Sequence, residues 1–132
     1  MGSVIWLGMG SKIVSFADLD VYKRLYGLAI SVHREILPKL PDSEKYGLKD
    51  QLSRSSKSPP ALIAEGYARR QSGKEWRKYI RDAIGECNES IVHLSLVRDL
   101  YSSLLDVKLC NNLIKEYDIS GKQLYRLGES WQ

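Results

Sequence analysis

The residues best placed to do chemistry in this chain are cations. Arg69, Arg70, Lys74, Arg77, Lys78 and Arg81 crowd one short stretch, and the last four recur at three- and four-residue spacing. On a helix that spacing puts them on one face. Arg54 and Lys57 lie upstream, and Tyr67, Trp76 and Tyr79 are interleaved. Such an array can follow a phosphate backbone, and a nearby aromatic can stack on an unpaired base. Between Lys45 and Arg81 ten Lys/Arg face three acids, a local charge of +7, while the rest of the chain carries −3 of the total +4. That imbalance suits a polyanionic partner, RNA or DNA.

Other chemistry is poorly provided for. The two histidines, His33 and His93, have no nucleophile at a recognisable motif beside them, and the glycines are scattered rather than gathered into a phosphate loop. The expectation is therefore a protein that is not an enzyme and has no cofactor. Glu86, Glu89 and His93 lie near one another on one helix, with Glu65 the obvious partner from the helix before it. A bundle metal site uses two Glu-x-x-His pairs, and the chain does not carry two. The plainer reading is a solvated face with an i,i+4 pair. Cys87 and Cys110 are outside any CxxC motif and read as small core residues facing each other in a reducing, cytoplasmic setting.

Four helices have to position these groups. The first is expected over residues 18–37, with Asp18 as its cap and Pro38 and Pro41 ending it. The second starts after residue 42 or 43 and runs to about 68. Tyr46, Leu48, Leu52, Ser55, Ser56, Pro59, Ile63 and Gly66 fall on one face, and Pro59 and Pro60 are expected to kink or split it. Its small residues allow another backbone to come close. The third begins at a capping box, Ser72 with Glu75, and holds the helical period to about 101. The fourth covers residues 106–128, with Asp106 as cap and Gly121 as a weak point. Short connections make neighbours antiparallel, so the fold class is all-α, an up-and-down four-helix bundle. Residues 1–15 are read as a flexible N-terminal extension and 16–132 as the bundle domain. The apolar run near the N-terminus is far too short to span a bilayer, so no membrane is expected. Eight tyrosines and three tryptophans are enough to leave apolar surface exposed, which usually marks a subunit contact. A protein-interaction scaffold is therefore the alternative to nucleic-acid binding.

Several runs carry a family resemblance. Tyr46-Gly47-Leu48, Gln51-Leu52, Arg54-Ser55-Ser56, Ser58, Pro60 and Ile63-Ala64-Glu65-Gly66-Tyr67 resemble the bacterial four-helix-bundle proteins of the 23S ribosomal RNA intervening-sequence type. Arg69, Ser72, Lys74-Glu75, Tyr79, Ala83, Gly85 and Glu89 continue it, as do Phe16, Asp18-Leu19, Val21-Tyr22 and Leu40-Pro41 upstream. The resemblance implies a homopentamer of up-and-down bundles. It also implies kinship with the accessory proteins of diversity-generating retroelements, which bind a reverse transcriptase and nucleic acid. The chain departs from the family pattern at Leu62, where asparagine is frequent, and at Asp82 and Glu86, where an apolar residue and a serine are usual. Pro59 doubles the usual single proline. Asp82 and Glu86 add negative charge beside the basic stripe.

Overall fold

The computed structural model of the chain describes residues 5–7 and 11–130. Helices α1 (Asp20–Ser31), α2 (Leu48–Ala68), α3 (Gly73–Leu100) and α4 (Val107–Ser130) form an up-and-down bundle. α2 and α4 each touch both α1 and α3, so α1 and α3 sit on the diagonal. The antiparallel register is pinned by pairs far apart in sequence. Ser90 donates to Ser55 at 2.9 Å, and the Cys110 thiol reaches the Leu94 carbonyl at 3.2 Å.

Helix starts follow the capping rule in two places. The Glu75 amide donates to Ser72 Oγ at 3.2 Å, and the Leu109 amide donates to the Asp106 carboxylate at 3.1 Å. The reciprocal half of the Ser72 box is absent because the Glu75 carboxylate turns to Arg69. Asp18 corrects the sequence expectation. Its carboxylate accepts the Val14 and Ser15 amides at 2.9 and 3.0 Å, closing a capping box around a 3₁₀ turn (Phe16–Asp18) instead of capping α1.

The expected N-terminal extension, residues 1–15, lies partly outside the described residues. Within it, β1 (Ile5–Leu7) pairs antiparallel with β2 (Ser11–Ile13), Ile5 opposite Ile13. Ile13 is buried with the bundle core, so packing begins ahead of residue 16.

α1 is shorter than its apolar pattern predicts. The chain widens into a π turn (Val32–Ile36) and closes in a 3₁₀ turn (Leu37–Lys39). Pro38 has no amide to continue the ladder, and the wider turn keeps both Val32 and Ile36 in the core. His33 ties this stretch to α2. Its Nδ1 lies 2.8 Å from the Ala29 carbonyl and its Nε2 3.0 Å from Ser53 Oγ, which assigns the proton to Nδ1.

A 3₁₀ turn (Asp42–Glu44) precedes α2, whose first amide, Leu48, donates to Glu44 Oε1 at 3.0 Å. The Tyr101 hydroxyl donates to the other Glu44 oxygen, joining the start of α2 to the end of α3. Tyr46 falls in the turn and is 84% exposed rather than on the buried face. α2 then runs unbroken through Pro59 and Pro60, so the expected split does not occur. Serine hydroxyls bind backbone in the same turns: Ser55, Ser56 and Ser58 donate to the carbonyls of Leu52, Ser53 and Arg54.

The buried face of α2 is Leu48, Leu52, Ser55, Ser56, Pro59, Ile63 and Gly66, the small-residue seam that the sequence pattern implies. α3 contributes Trp76, Ile80, Ala83, Cys87, Ser90, Leu94 and Val97. Both thiols are buried and unpaired, but they do not face each other. Cys110 sits level with Leu94, two helical turns from Cys87, about 10 Å along the axis. Helical period alone does not reveal that offset.

Gly66 fixes how closely α2 and α3 approach. A Cβ there would lie 2.8 Å from Tyr79 Cβ and 3.3 Å from the Trp76 ring, too close for either helix to stay in place. Gly27 and Gly121 have nothing within 4 Å of such an atom. Chemical denaturation of Gly66→Ala is expected to show a loss of about 1–3 kcal/mol from overpacking. Gly27→Ala and Gly121→Ala are expected to gain about 0.5–1 kcal/mol each from a less flexible unfolded chain.

Candidate functional site

The turn between α2 and α3 puts the cationic residues at one end of the bundle and along the outer face of α3. Trp76 and Ile80 point into the core, which forces Lys74, Arg77, Lys78 and Arg81 outward, and all four are exposed. The spacing read from sequence therefore does make one solvent-facing stripe.

The eight predicted site residues are not equivalent. Arg69 is held by two carboxylates, Glu65 at 2.8 Å and Glu75 at 3.2 Å. Lys78 is held by Asp82 at 3.0 Å. Arg54 pairs with Asp50 at 3.2 Å. Arg70 instead donates to the Tyr67 carbonyl at 2.9 Å and lies 4.1 Å from the Tyr67 ring centroid. Among the described residues no ion pair engages Lys57, Lys74, Arg77 or Arg81. Exposed pairs such as these contribute little stability and yield readily to a phosphate.

The structure also separates two of the eight from Arg69. The Ser55–Ser90 contact places Arg54 and Lys57 midway along the bundle. From Arg69 they are twelve to fifteen residues away, about 18–22 Å of helix. The corner proper consists of Arg69, Arg70, Lys74, Arg77, Lys78 and Arg81.

The interleaved aromatics do not stand free. Trp76 is fully buried. Tyr67 underlies Arg70, and the Tyr79 ring has Arg69 at 5.7 Å and Lys78 at 5.0 Å. Phe16 packs edge-on against Tyr67 and Tyr22. The corner is thus stiffened by cation–π and ring contacts, and its outward chemistry is charge.

Glu86 and Glu89 sit in a setting that neither the metal reading nor the solvated-face reading describes. Among the described residues no three His, Cys, Asp or Glu side chains are arranged to hold a metal ion, and Glu65 is committed to Arg69. Glu86 and Glu89 line an open groove of about 350 Å³ with Gln51, Arg54, Ser55 and His93. They also line an adjoining groove of about 600 Å³ with Leu62, Arg81, Asp82 and Gly85. Burial, and then a hydrogen bond to the Glu89 carboxyl, push Glu86 up to about 7, with the Glu89 and Asp82 charges adding to the rise and the Ser58 hydroxyl opposing it. The available signal in sequence was two carboxylates one turn apart opposite small residues of α2.

Beyond the basic end, the outer face of α3 turns apolar. Val92, Leu96 and Leu100 recur every four residues and are exposed, with Leu104 just past the helix end. None of the described helices is long and apolar enough to cross a membrane.

A family model described as 23S rRNA-intervening sequence protein matches residues 17–126. No curated protein matches the chain.

The raised Glu86 pKa has a stability consequence. Its folded form holds the proton more tightly than the unfolded chain, so its stabilising contribution is complete below the ordinary value of 4.5. That contribution is lost as the pH rises toward about 7. Thermal melts of Glu86→Gln are expected to match the parent at low pH. Above neutrality the variant is expected to be more stable by about 1 kcal/mol, after allowance for solvent screening.

Proposed function

The chain belongs to the 23S rRNA-intervening sequence protein family, and from that footing we propose that it is a non-enzymatic, oligomeric bundle that binds RNA or DNA through the basic corner between α2 and α3. The observation that carries this reading is the set of exposed cations, Lys74, Arg77 and Arg81, that no carboxylate engages among the described residues, beside Arg70. These groups span about 10 Å of helix, enough for two or three phosphates per chain. Contact of that size is weak alone and gains strength when several chains present it together. A homopentamer, the assembly that the family resemblance implies, supplies that repetition. Two unpaired buried thiols suit the reducing bacterial cytoplasm where this reading places it.

A second reading is favoured by one observation, the exposed Val92, Leu96 and Leu100 row. Apolar surface of this kind suits a protein contact. Under that reading the bundle is a scaffold, such as an accessory subunit of a reverse transcriptase or another nucleic-acid enzyme, and the row carries the partner.

Two measurements test the proposal. Fluorescence anisotropy with a labelled short single-stranded RNA is expected to show binding that weakens roughly seven- to twentyfold per bound chain for a fourfold rise in salt. The triple variant Lys74→Ala, Arg77→Ala, Arg81→Ala is expected to lose most of the affinity and of the salt slope, while Arg54→Ala, Lys57→Ala retains both. An RNA that stays unbound at low salt contradicts the reading. Light scattering is expected to give about five times the 15.0 kDa chain mass, and a monomer would remove the avidity it requires.

A further inference from the structure

The basic face of α3 is interrupted by acids at its inner end, and the interruption is electrically decisive. Between Lys74 and Glu89 the helix carries four cations, Lys74, Arg77, Lys78 and Arg81. It also carries four carboxylates, Glu75, Asp82, Glu86 and Glu89. With every acid ionised this stretch is neutral, and one proton makes it positive. Glu75 is committed to Arg69 and Asp82 to Lys78. Glu86 and Glu89 have no cation bound to them among the described residues, although Arg81 lines one of their grooves and Arg54 the other. Two carboxylates placed together without a counter-charge reduce their repulsion by sharing a proton.

We propose that the Glu86–Glu89 pair is a proton-binding site that sets the affinity of the neighbouring cations for nucleic-acid phosphates. Protonated, the pair carries one negative charge and Arg81 is left available to a phosphate. Deprotonated, it carries two, in a groove that Arg81 also lines, and repels an incoming polyanion. The inference rests on the nucleic-acid reading above and adds its regulation.

The surroundings bear on which group does the switching. From α2 the charged group in these grooves is Arg54, already paired with Asp50. From α3 they are Arg81, Asp82, Glu89 and His93. Burial, and then the Glu86 charge, push the Cys87 thiol up to about 12, and it stays protonated. Glu86 titrates near 7, so the pair changes charge between mildly acid and mildly alkaline solution. His93 also lines the first of these grooves, and it needs a control of its own.

The test is RNA binding by the full chain at about pH 6 and about pH 8.5, at one fixed salt concentration. Affinity per chain is expected to fall about threefold across that interval, the effect of one unit charge roughly 10 Å from a bound phosphate. Glu86→Gln is expected to abolish the fall and His93→Gln to leave it intact. In parallel, an NMR titration of selectively labelled glutamate carboxyls is expected to place the Glu86 midpoint near 7. A fall that persists in Glu86→Gln, a fall that disappears in His93→Gln, or a Glu86 midpoint near 4.5 would each overturn the switch while leaving the binding reading standing. RNA that binds at neither pH overturns the binding reading, and the switch with it.

Discussion

The close contact of α2 with α3 along a seam of small residues is the constraint from which the rest of this protein follows. Gly66 lies against the Trp76 ring and Tyr79 Cβ, and Ser55 meets Ser90 in a buried hydrogen bond. Between them the buried positions of α2 are Ser56, Pro59 and Ile63. Larger side chains would push the helices apart and release Trp76, the largest fully buried side chain. With Trp76 and Ile80 held inward, the helical period leaves Lys74, Arg77, Lys78 and Arg81 no orientation but outward. The basic stripe is therefore a by-product of core packing.

The same contact determines which charges compete. Because α2 ends directly beside the start of α3, Glu65 and Glu75 converge on Arg69 and compete with a phosphate for it. Further along α3 the acids Asp82, Glu86 and Glu89 share the outer face with Arg81, and beyond them the surface turns apolar at Val92. One helix face thus runs from cationic through acidic to apolar, with Arg81 at the first boundary. Surface ion pairs of this kind barely affect folding, but they govern what the face offers to a charged partner.

The sequence was most legible where one helix could be read by itself. The buried face of α2, the long period of α3 and the caps at Ser72 and Asp106 all follow from local rules. Features that depend on two elements at once were not legible. The distance between Cys87 and Cys110 depends on the register of α3 against α4. Asp18 satisfies the capping preference but of the turn behind it, a choice that composition does not distinguish. The π turn at Val32–Ile36 arises from competition between Pro38 and the demand that Val32 and Ile36 both stay buried. The Glu86–Glu89 pair was visible as spacing, yet its proton affinity comes from the groove that α2 builds around it.

Lysine footprinting by acetylation, with and without bound RNA, tests the central claim most directly because the chain carries lysines inside and outside the corner. Lys74 and Lys78 are expected to become protected when RNA is added, while Lys57 on α2 and Lys108 and Lys115 on α4 keep their reactivity. Protection confined to Lys57 or the α4 lysines, or uniform reactivity throughout, would contradict the account.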